Sequence, residues 1–490
     1  MAIAMNPSTG EVERCAVCIV GAGVAGLNAL AVAGEYLSRD QKVVLIERRP
    51  RAGGMWIDTY PYVRLHQPYR FFTVGDLGWD LDTKPSYLAT KDEVLVHLTR
   101  CLDVLSRRVQ LVTRFGEEFE SDTETGGYVR ITTRSADGTT RVIEAERLIK
   151  AYGCQIVPNE PLPLSSARIN SVSPDYHDLR KGALKNSDTP VWVIGGGKTA
   201  MDTAQLLIAE YPGREINLVT GSGTYFMRRD RMFPEGIRKW WAGNEPISLF
   251  SRLANRFDGA NEEEMVALFR DNYCTRLTPD ASNFLFSYLS DAESATIAAG
   301  LTTTVLERLV DAVDRGEITE LVFRDGSTRP VPHGSWVVNC TGYLLARQHS
   351  YEPYASASGA VLSIQQRSAT LQPVTVQSYF MTHLMFLDRL RDAPLYELDV
   401  EELRRKANRV LPYALMALNQ HNFSVIADSV PMKAFLDCGA DVSRWFPLPR
   451  RLVNAAQFLR THRRDRDHHR RTLETVRERF DVRCGRLAAS

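Results

Sequence analysis

Three things are scarce in this 490-residue chain: net charge, patterned cysteine and a leader-like N-terminus. Its 60 Lys and Arg face 59 Asp and Glu, so no global field draws it to nucleic acid or to an anionic membrane. The opening MAIAMNPSTGEVER has neither a basic n-region nor an apolar core, which argues against a signal peptide. The eight cysteines, at 15, 18, 101, 154, 274, 340, 438 and 484, are scattered. That spacing excludes a disulfide framework and suits the reduced thiols of a cytoplasmic enzyme. Cys15 and Cys18 form a C-x-x-C, yet they sit in an apolar run just before a glycine turn, so packing is expected rather than redox or zinc chemistry. Residues Cys15 to Gly34 lack charge for 20 positions, the length of a membrane span, but three glycines break the run. The tail from Arg460 to Arg471 is rich in Arg and His. Interleaved Asp465 and Asp467 and the lack of aromatics make it a solvated helix face rather than an RNA or metal site. No metal site is expected.

What is present is organised around residues 15–48. An apolar strand, Ala16 to Val20, enters Gly21-Ala-Gly23-Val-Ala-Gly26; a helical pattern follows, and a second apolar run from Val43 ends at Glu47. That is a βαβ unit with the full dinucleotide fingerprint. Gly21 makes the tight turn, Gly23 opens the backbone to a pyrophosphate, and Gly26 lets helix and strand pack. The helix-start N–H groups hold phosphate, and Glu47, followed by Arg48, accepts from a ribose diol. Beyond it, Gly53-Gly54-Met55-Trp56 reads as a second close approach to the same dinucleotide. Residues 57–90 form a loop-rich, aromatic segment suited to lining a planar ring system. A helix over 91–106 and a meander of strands over 109–153 follow.

A second fingerprint begins at Pro190. The strand Val191 to Ile194 enters Gly195-Gly-Gly197-Lys198-Thr199-Ala200, with Ala in the third glycine's place, a permitted variant. Its second strand ends in Thr220-Gly-Ser222 with no acid. With no carboxylate to repel a 2′-phosphate, and Lys198, Arg228 and Arg229 near in sequence, this site is expected to take NADPH. Segments 260–269 and 284–289 have helical spacing, so a helical insertion is expected at about 225–300. A strand ending Asn339-Cys-Thr341-Gly342-Tyr343 closes the unit. The expected architecture is α/β. An FAD-binding domain takes 12–155 and 344–394, an NADPH-binding domain 156–343, and a mostly helical region 395–490.

A first site with a ribose acid and a second without one imply a bound FAD and a visiting NADPH. Electrons then need an exit. Disulfide reductases place two cysteines just after the paired glycines, whereas no cysteine lies between Cys18 and Cys101. The order Gly21 to Gly26, Gly53-Gly54-Met55-Trp56, Gly195 to Ala200, Asn339 to Gly342 resembles that of class B flavoprotein monooxygenases, across some 340 residues of the chain. That family includes flavin-containing monooxygenases, Baeyer–Villiger enzymes and amino-acid N-hydroxylases. The resemblance implies that reduced flavin and O₂ give a C4a-hydroperoxyflavin, which hands one oxygen to a substrate. One linker departs from the pattern: Leu164 to Tyr176 keeps the terminal Tyr176, but Val172 stands where many members have His. Arg64-Leu-His66-Gln67 is similar to an N-hydroxylase segment whose Gln lies beside the flavin.

Charge suggests the substrate. Arg64 and Arg70 fall in the flavin-facing loop, and Arg228, Arg229 and Arg231 begin the insertion. Guanidinium forks match carboxylates, and together these resemble an L-aspartate N-hydroxylase forming nitrosuccinate. Arg64, His66 and Gln67 are the candidate catalytic residues, with His66 either a proton acceptor or a structural hydrogen-bonding group. Arg64, Arg70, Arg229 and Arg231 are the candidate substrate ligands. S-oxygenating or Baeyer–Villiger chemistry, a flavin reductase serving a ferredoxin or quinone, and a nucleotide-sensing binding protein are the alternatives. The expected partners are a small molecule and O₂, with no nucleic acid and no membrane; a homodimer is left open.

Overall fold

The computed structural model describes residues 12–342 and 348–487. The N-terminal segment before Val12, Tyr343 and the domain boundary at 343/344 therefore lie outside the described residues.

The first sheet has seven strands. β1 (Glu13–Val20) lies between β2 (Lys42–Glu47) and β6 (Thr140–Ala151), parallel to both, and β3 (Gln110–Phe115) extends it beyond β2. β4 (Glu117–Thr125) and β5 (Tyr128–Ser135) run antiparallel and join it through the first half of β6, the length of which also accommodates β18 (Val361–Ile364) on its second half. Helix α1 (Val24–Tyr36) is charge-free until its last turns because it is buried from Ala25 to Ala33. At 13 residues it spans about 20 Å, too short for a bilayer, and among the described residues no helix is long and apolar enough to cross a membrane. Its one polar residue in that run, Asn28, is satisfied: it donates to Val24 O and Thr73 O and accepts from Gly75 N. Helix α2 (Lys91–Leu105) starts on a Thr90/Glu93 capping box, which fixes where the loop-rich 57–90 segment ends.

The second sheet is parallel throughout. β8 (Val191–Ile194) pairs with β9 (Ile216–Val219) and with β17 (Trp336–Asn339), while β7 (Asn170–Val172) and β13 (Thr303–Val305) form the edges. Helix α4 (Lys198–Glu210) crosses it, after the short α3 (Gly182–Lys185). A three-stranded antiparallel sheet of β14 (Leu309–Arg315), β15 (Ile318–Phe323) and β16 (Thr328–Pro332) precedes β17. The result is two Rossmann-type dinucleotide folds, α/β, with a helical C-terminal region.

The segment at 225–300 is mixed rather than helical. It contains a small sheet of β10 (Thr224–Arg228), β11 (Cys274–Arg276) and β12 (Asn283–Leu289), with α5 (Arg229–Met232), α6 (Pro246–Arg256), α7 (Glu262–Tyr273) and α8 (Asp291–Gly300). Residues 284–289, expected as helix, are the strand β12. Six residues rich in aromatics satisfy a period of two as well as 3.6, and pairing with β10 decides the outcome. The insertion does not form a core alone. Phe257 and Phe269 pack on Tyr413, Leu473 and Val476, from α11 (Leu411–Ser429) and α13 (Leu448–Phe480). Strand β18 (Val361–Ile364) and helix α9 (Val374–Phe386) return the chain to the first sheet and to α1.

Candidate functional site

The first glycine loop is closed by contacts that admit no side chain. A Cβ on Gly26 would lie 1.8 Å from Gly21 O, and one on Gly21, at φ +103°, 2.6 Å from Ala151 O. Gly54 sits directly over Gly23: a Cβ on Gly54 would meet Gly23 Cα at 2.8 Å. Gly53 N–H donates to Ala22 O at 3.0 Å, tying the paired glycines and Met55-Trp56 across the helix start. Glu47 is buried, and its carboxylate accepts from Ala22 N–H at 2.8 Å and from Arg49. The cation on Glu47 is thus Arg49, which also pairs with Asp58; Arg48 points outward and is exposed.

The second loop repeats this construction. A Cβ on Gly195, at φ +139°, would strike Cys340 O at 2.4 Å, and one on Gly196 would lie 2.5 Å from Thr220 Oγ1. Gly197 opens α4, and Thr341, whose hydroxyl donates to Asn339 Oδ1, follows β17 opposite Gly195 beside the exposed Gly342. All three cations placed near this site from sequence are engaged within the protein, Arg229 by Glu293. Lys198 pairs with Asp202 one turn along α4, and Arg228 lies at the far end of β10, donating to Cys274 O and facing Asp291. The cation beside Thr220-Gly221-Ser222 is Arg308, between β13 and β14: a Cβ on Gly221 would lie 3.8 Å from its Cγ. Arg308 is exposed. No local signal marks it, because it stands over 80 residues from its loop in the chain.

The two nucleotide folds meet at Tyr60 and Tyr62. Tyr60 OH donates to Asp202 Oδ2 at 2.8 Å, and Tyr62 OH bonds Thr203 Oγ1 at 2.7 Å. His66 is enclosed beside this seam, its ring stacked on Tyr288 and its Nδ1 accepting from Tyr288 N–H. Burial, with Lys198 and Arg229 nearby, pushes its pKa down to about 3. The expectation of His66 as a proton acceptor therefore gives way to a neutral, structural imidazole. Gln67 Oε1 is buried beside it with no hydrogen-bond partner, a position that suits a bound group.

His66 also has a consequence for stability. An unfolded His titrates near 6.5, whereas the folded one resists protonation down to about 3, so the unfolded chain binds the extra proton as pH falls. Stability from this residue is complete above pH 6.5 and is lost below it, by about 1.4 kcal/mol per pH unit. His97 and His383 act in the same direction through burial. Thermal melts from pH 7 to 5 should show falling Tm, and His66→Gln, which keeps an acceptor for Tyr288 N–H, should flatten that slope; an unchanged slope would refute the assignment.

A cavity of about 530 Å³ adjoins the same segment. Arg64, Lys84, Arg229 and Arg238 line it, against Asp230 and Glu235. Two of the four arginines expected here, Arg64 and Arg229, are in its wall; Arg70 and Arg231 are exposed and do not line it. Arg70 follows the buried Tyr69, and Arg231 precedes the buried Met232, so both arginines face out. Arg229 is held by Glu293 at 2.5 Å and donates to His66 O at 3.2 Å, while Arg64 lies over the Tyr87 ring and donates to Leu88 O. Lys84 and Arg238 were not legible, since nothing in the sequence brings residue 84 to residue 238.

Comparison with known proteins fits the fold. A family model described as pyridine nucleotide-disulphide oxidoreductase matches residues 15–243. Uncharacterized proteins of Mycobacterium tuberculosis and Mycobacterium bovis are 29% identical over 205 residues, 39% of this chain and 35% of their own length. The chain thus spans about a third of the curated relatives it matches. Among solved structures, an oxidized steroid monooxygenase bound to NADP is similar at TM-score 0.52 and 15% identity, over 85% of this chain and 98% of that one. An open cyclohexanone monooxygenase gives 0.50 and 13%, with the same coverage. At such identities the likeness is one of fold.

Proposed function

We propose that this chain is an FAD- and NADPH-dependent monooxygenase that N-hydroxylates a small acidic amino acid, with successive oxidation of L-aspartate to nitrosuccinate as the leading case. The observation that carries the substrate class is the cavity walled by Arg64 and Pro68, where Arg64, Lys84, Arg229 and Arg238 face Asp230 and Glu235 and only Arg229 of the four is ion-paired among the described residues, with Glu293. The names of the similar structures, a steroid monooxygenase bound to NADP and a cyclohexanone monooxygenase, support the broader class. The glycine loop, Glu47, Arg48 and Gly54 would hold FAD, with Met55, Trp56 and Gln67 along its length. Gly195, Gly197, Thr199, Thr220, Ser222, Thr341, Gly342 and Arg308 would hold NADPH. A flavin held in the first loop would supply the redox chemistry that links NADPH to O₂.

The chain's own contribution is positioning and exclusion of water. Arg229, fixed by Glu293, and Arg64, braced on Tyr87, present guanidinium groups towards a substrate carboxylate. Neutral His66, accepting at Nδ1, keeps its proton on Nε2 and adds no positive charge near the amine. The Tyr60–Asp202 and Tyr62–Thr203 bonds hold the two folds in register. A thiol route has no support: all eight cysteines are free, and burial raises thiols such as Cys15 and Cys340 to about 12.

Aerobic incubation with NADPH and a panel of amino acids, amines, ketones and sulfides, read by mass for added oxygen, tests the proposal. L-Aspartate or L-glutamate should gain oxygen. Ketones or sulfides gaining it instead would refute the acidic substrate and leave Baeyer–Villiger or S-oxygenating chemistry. NADPH-driven reduction of a ferredoxin or quinone with no oxygenated product would refute the monooxygenase. Lys84→Ala and Arg238→Ala, each removing an exposed cation of the wall, should raise the KM for the acidic substrate about fivefold and leave kcat in place, as expected for a contribution of about 1 kcal/mol.

A further inference from the structure

The strongest feature outside the nucleotide folds is an apolar surface on α13 and the turn beside it. In the first half of α13, Leu448, Leu452, Val453 and Leu459 are all more than half exposed. Leu448, Leu452, Ala455 and Leu459 recur at spacings that place them on one helix face. Next to them, Ile237, Trp240 and Trp241 are 60–71% exposed. The two stretches are one surface: Arg450, in the first turn of α13, donates to Lys239 O, Ala242 O and Gly243 O. Lys239 in turn lies over the Trp445 ring. Exposed apolar area of this kind, with adjacent indoles, marks a docking site.

Its charge selects the occupant. From Val442 to Arg464 the chain carries six arginines and no carboxylate, and from Gly236 to Asn244 it carries Arg238 and Lys239 and again no carboxylate. A second copy docked face to face would set these cations against one another. Asp441 is shared by Arg444 and Arg451, Asp428 by Arg463 and Arg466, and Asp465 pairs with Arg464, while Arg450, Arg460, Arg238 and Lys239 form no ion pair among the described residues, so the surround keeps a positive excess. Apolar residues and tryptophan within a net-basic surround fit the headgroup boundary of an anionic bilayer. We propose that this face seats the protein peripherally on anionic lipid, which replaces the expectation of no membrane partner. The Arg-rich surround is invisible in the overall charge because acids elsewhere balance it. The proposal stands independently of the reading of the nucleotide folds.

The test is flotation of the full chain with vesicles of phosphatidylcholine alone and of phosphatidylcholine with phosphatidylglycerol in equal parts. Protein should float with the anionic vesicles only, and float less as NaCl rises from roughly 0.05 to 0.5 M. Leu452→Glu with Val453→Glu, and separately Trp240→Ser with Trp241→Ser, should each cut binding about tenfold. Because these side chains are exposed, Tm should not change. Equal flotation of wild type and variants, or none with either vesicle, overturns the proposal. So does a concentration-dependent dimer that the same substitutions abolish, which would assign the face to a second copy.

Discussion

Replacing Gly26 with alanine should leave the chain without bound flavin. The new Cβ would fall 1.8 Å from Gly21 O, a backbone atom that cannot rotate away, so helix α1 must separate from the turn whose N–H groups face the phosphates. Overpacking by a single methyl in a tolerant core costs about 1–3 kcal/mol; here no low-energy adjustment exists, and the geometry of the cradle goes with it. Gly23→Ala is the informative companion. Its Cβ would meet Gly54 Cα at 3.2 Å, a distance that a shift of a few tenths relieves, so the fold should survive while the space between the two glycines narrows. Visible flavin absorbance per chain, measured on gently purified protein, should be near zero for Gly26→Ala and reduced about tenfold or more for Gly23→Ala at unchanged Tm. Wild-type flavin content in Gly26→Ala would sink the assignment of this loop, and the oxygen chemistry with it.

The contrast between what sequence made legible and what it did not follows the range of the interactions. Gly23, Gly26 and Gly54 could be read because each is required by atoms at most a few tens of residues away, and Gly21, which closes on Ala151 O, because it belongs to the same glycine pattern of the βαβ turn. Cys15 and Cys18 could be read as core because their neighbours are apolar, and both are buried in β1. Residues 284–289 could not: an aromatic run of that length satisfies two periodicities, and its partner strand β10 is more than 50 residues away. Arg49 rather than Arg48 engages Glu47 because β2 ends there and alternation turns one side chain in and the next out. The role of the last hundred residues, whose α11 and α13 complete the core of the 225–300 segment, depends on contacts between residues far apart in the chain, such as Phe269 with Tyr413.

Arg308 is where that long-range organisation has its largest functional consequence. If the second loop holds NADPH through the ribose at Thr220 to Ser222, a dianionic 2′-phosphate needs a cation there, and the three placed near it from sequence are committed elsewhere, Arg229 to Glu293. Lys198 is neutralised by Asp202, and Arg228 sits four residues up β10 from Thr224, about 13 Å away. Arg308 stands beside Gly221, exposed, its backbone anchored by Arg324 N–H donating to its carbonyl. A guanidinium–phosphate pair contributes about 1.5–3 kcal/mol, and exposure puts this one at the lower end. Arg308→Ala should therefore raise the KM for NADPH about tenfold and leave that for NADH unchanged, so that the preference between the two reductants collapses. Arg228→Ala should not alter the ratio. Steady-state kinetics with both nucleotides decide the matter: equal loss with NADPH and NADH would make Arg308 a structural residue, and a collapse of the ratio in Arg228→Ala instead would return the phosphate to β10.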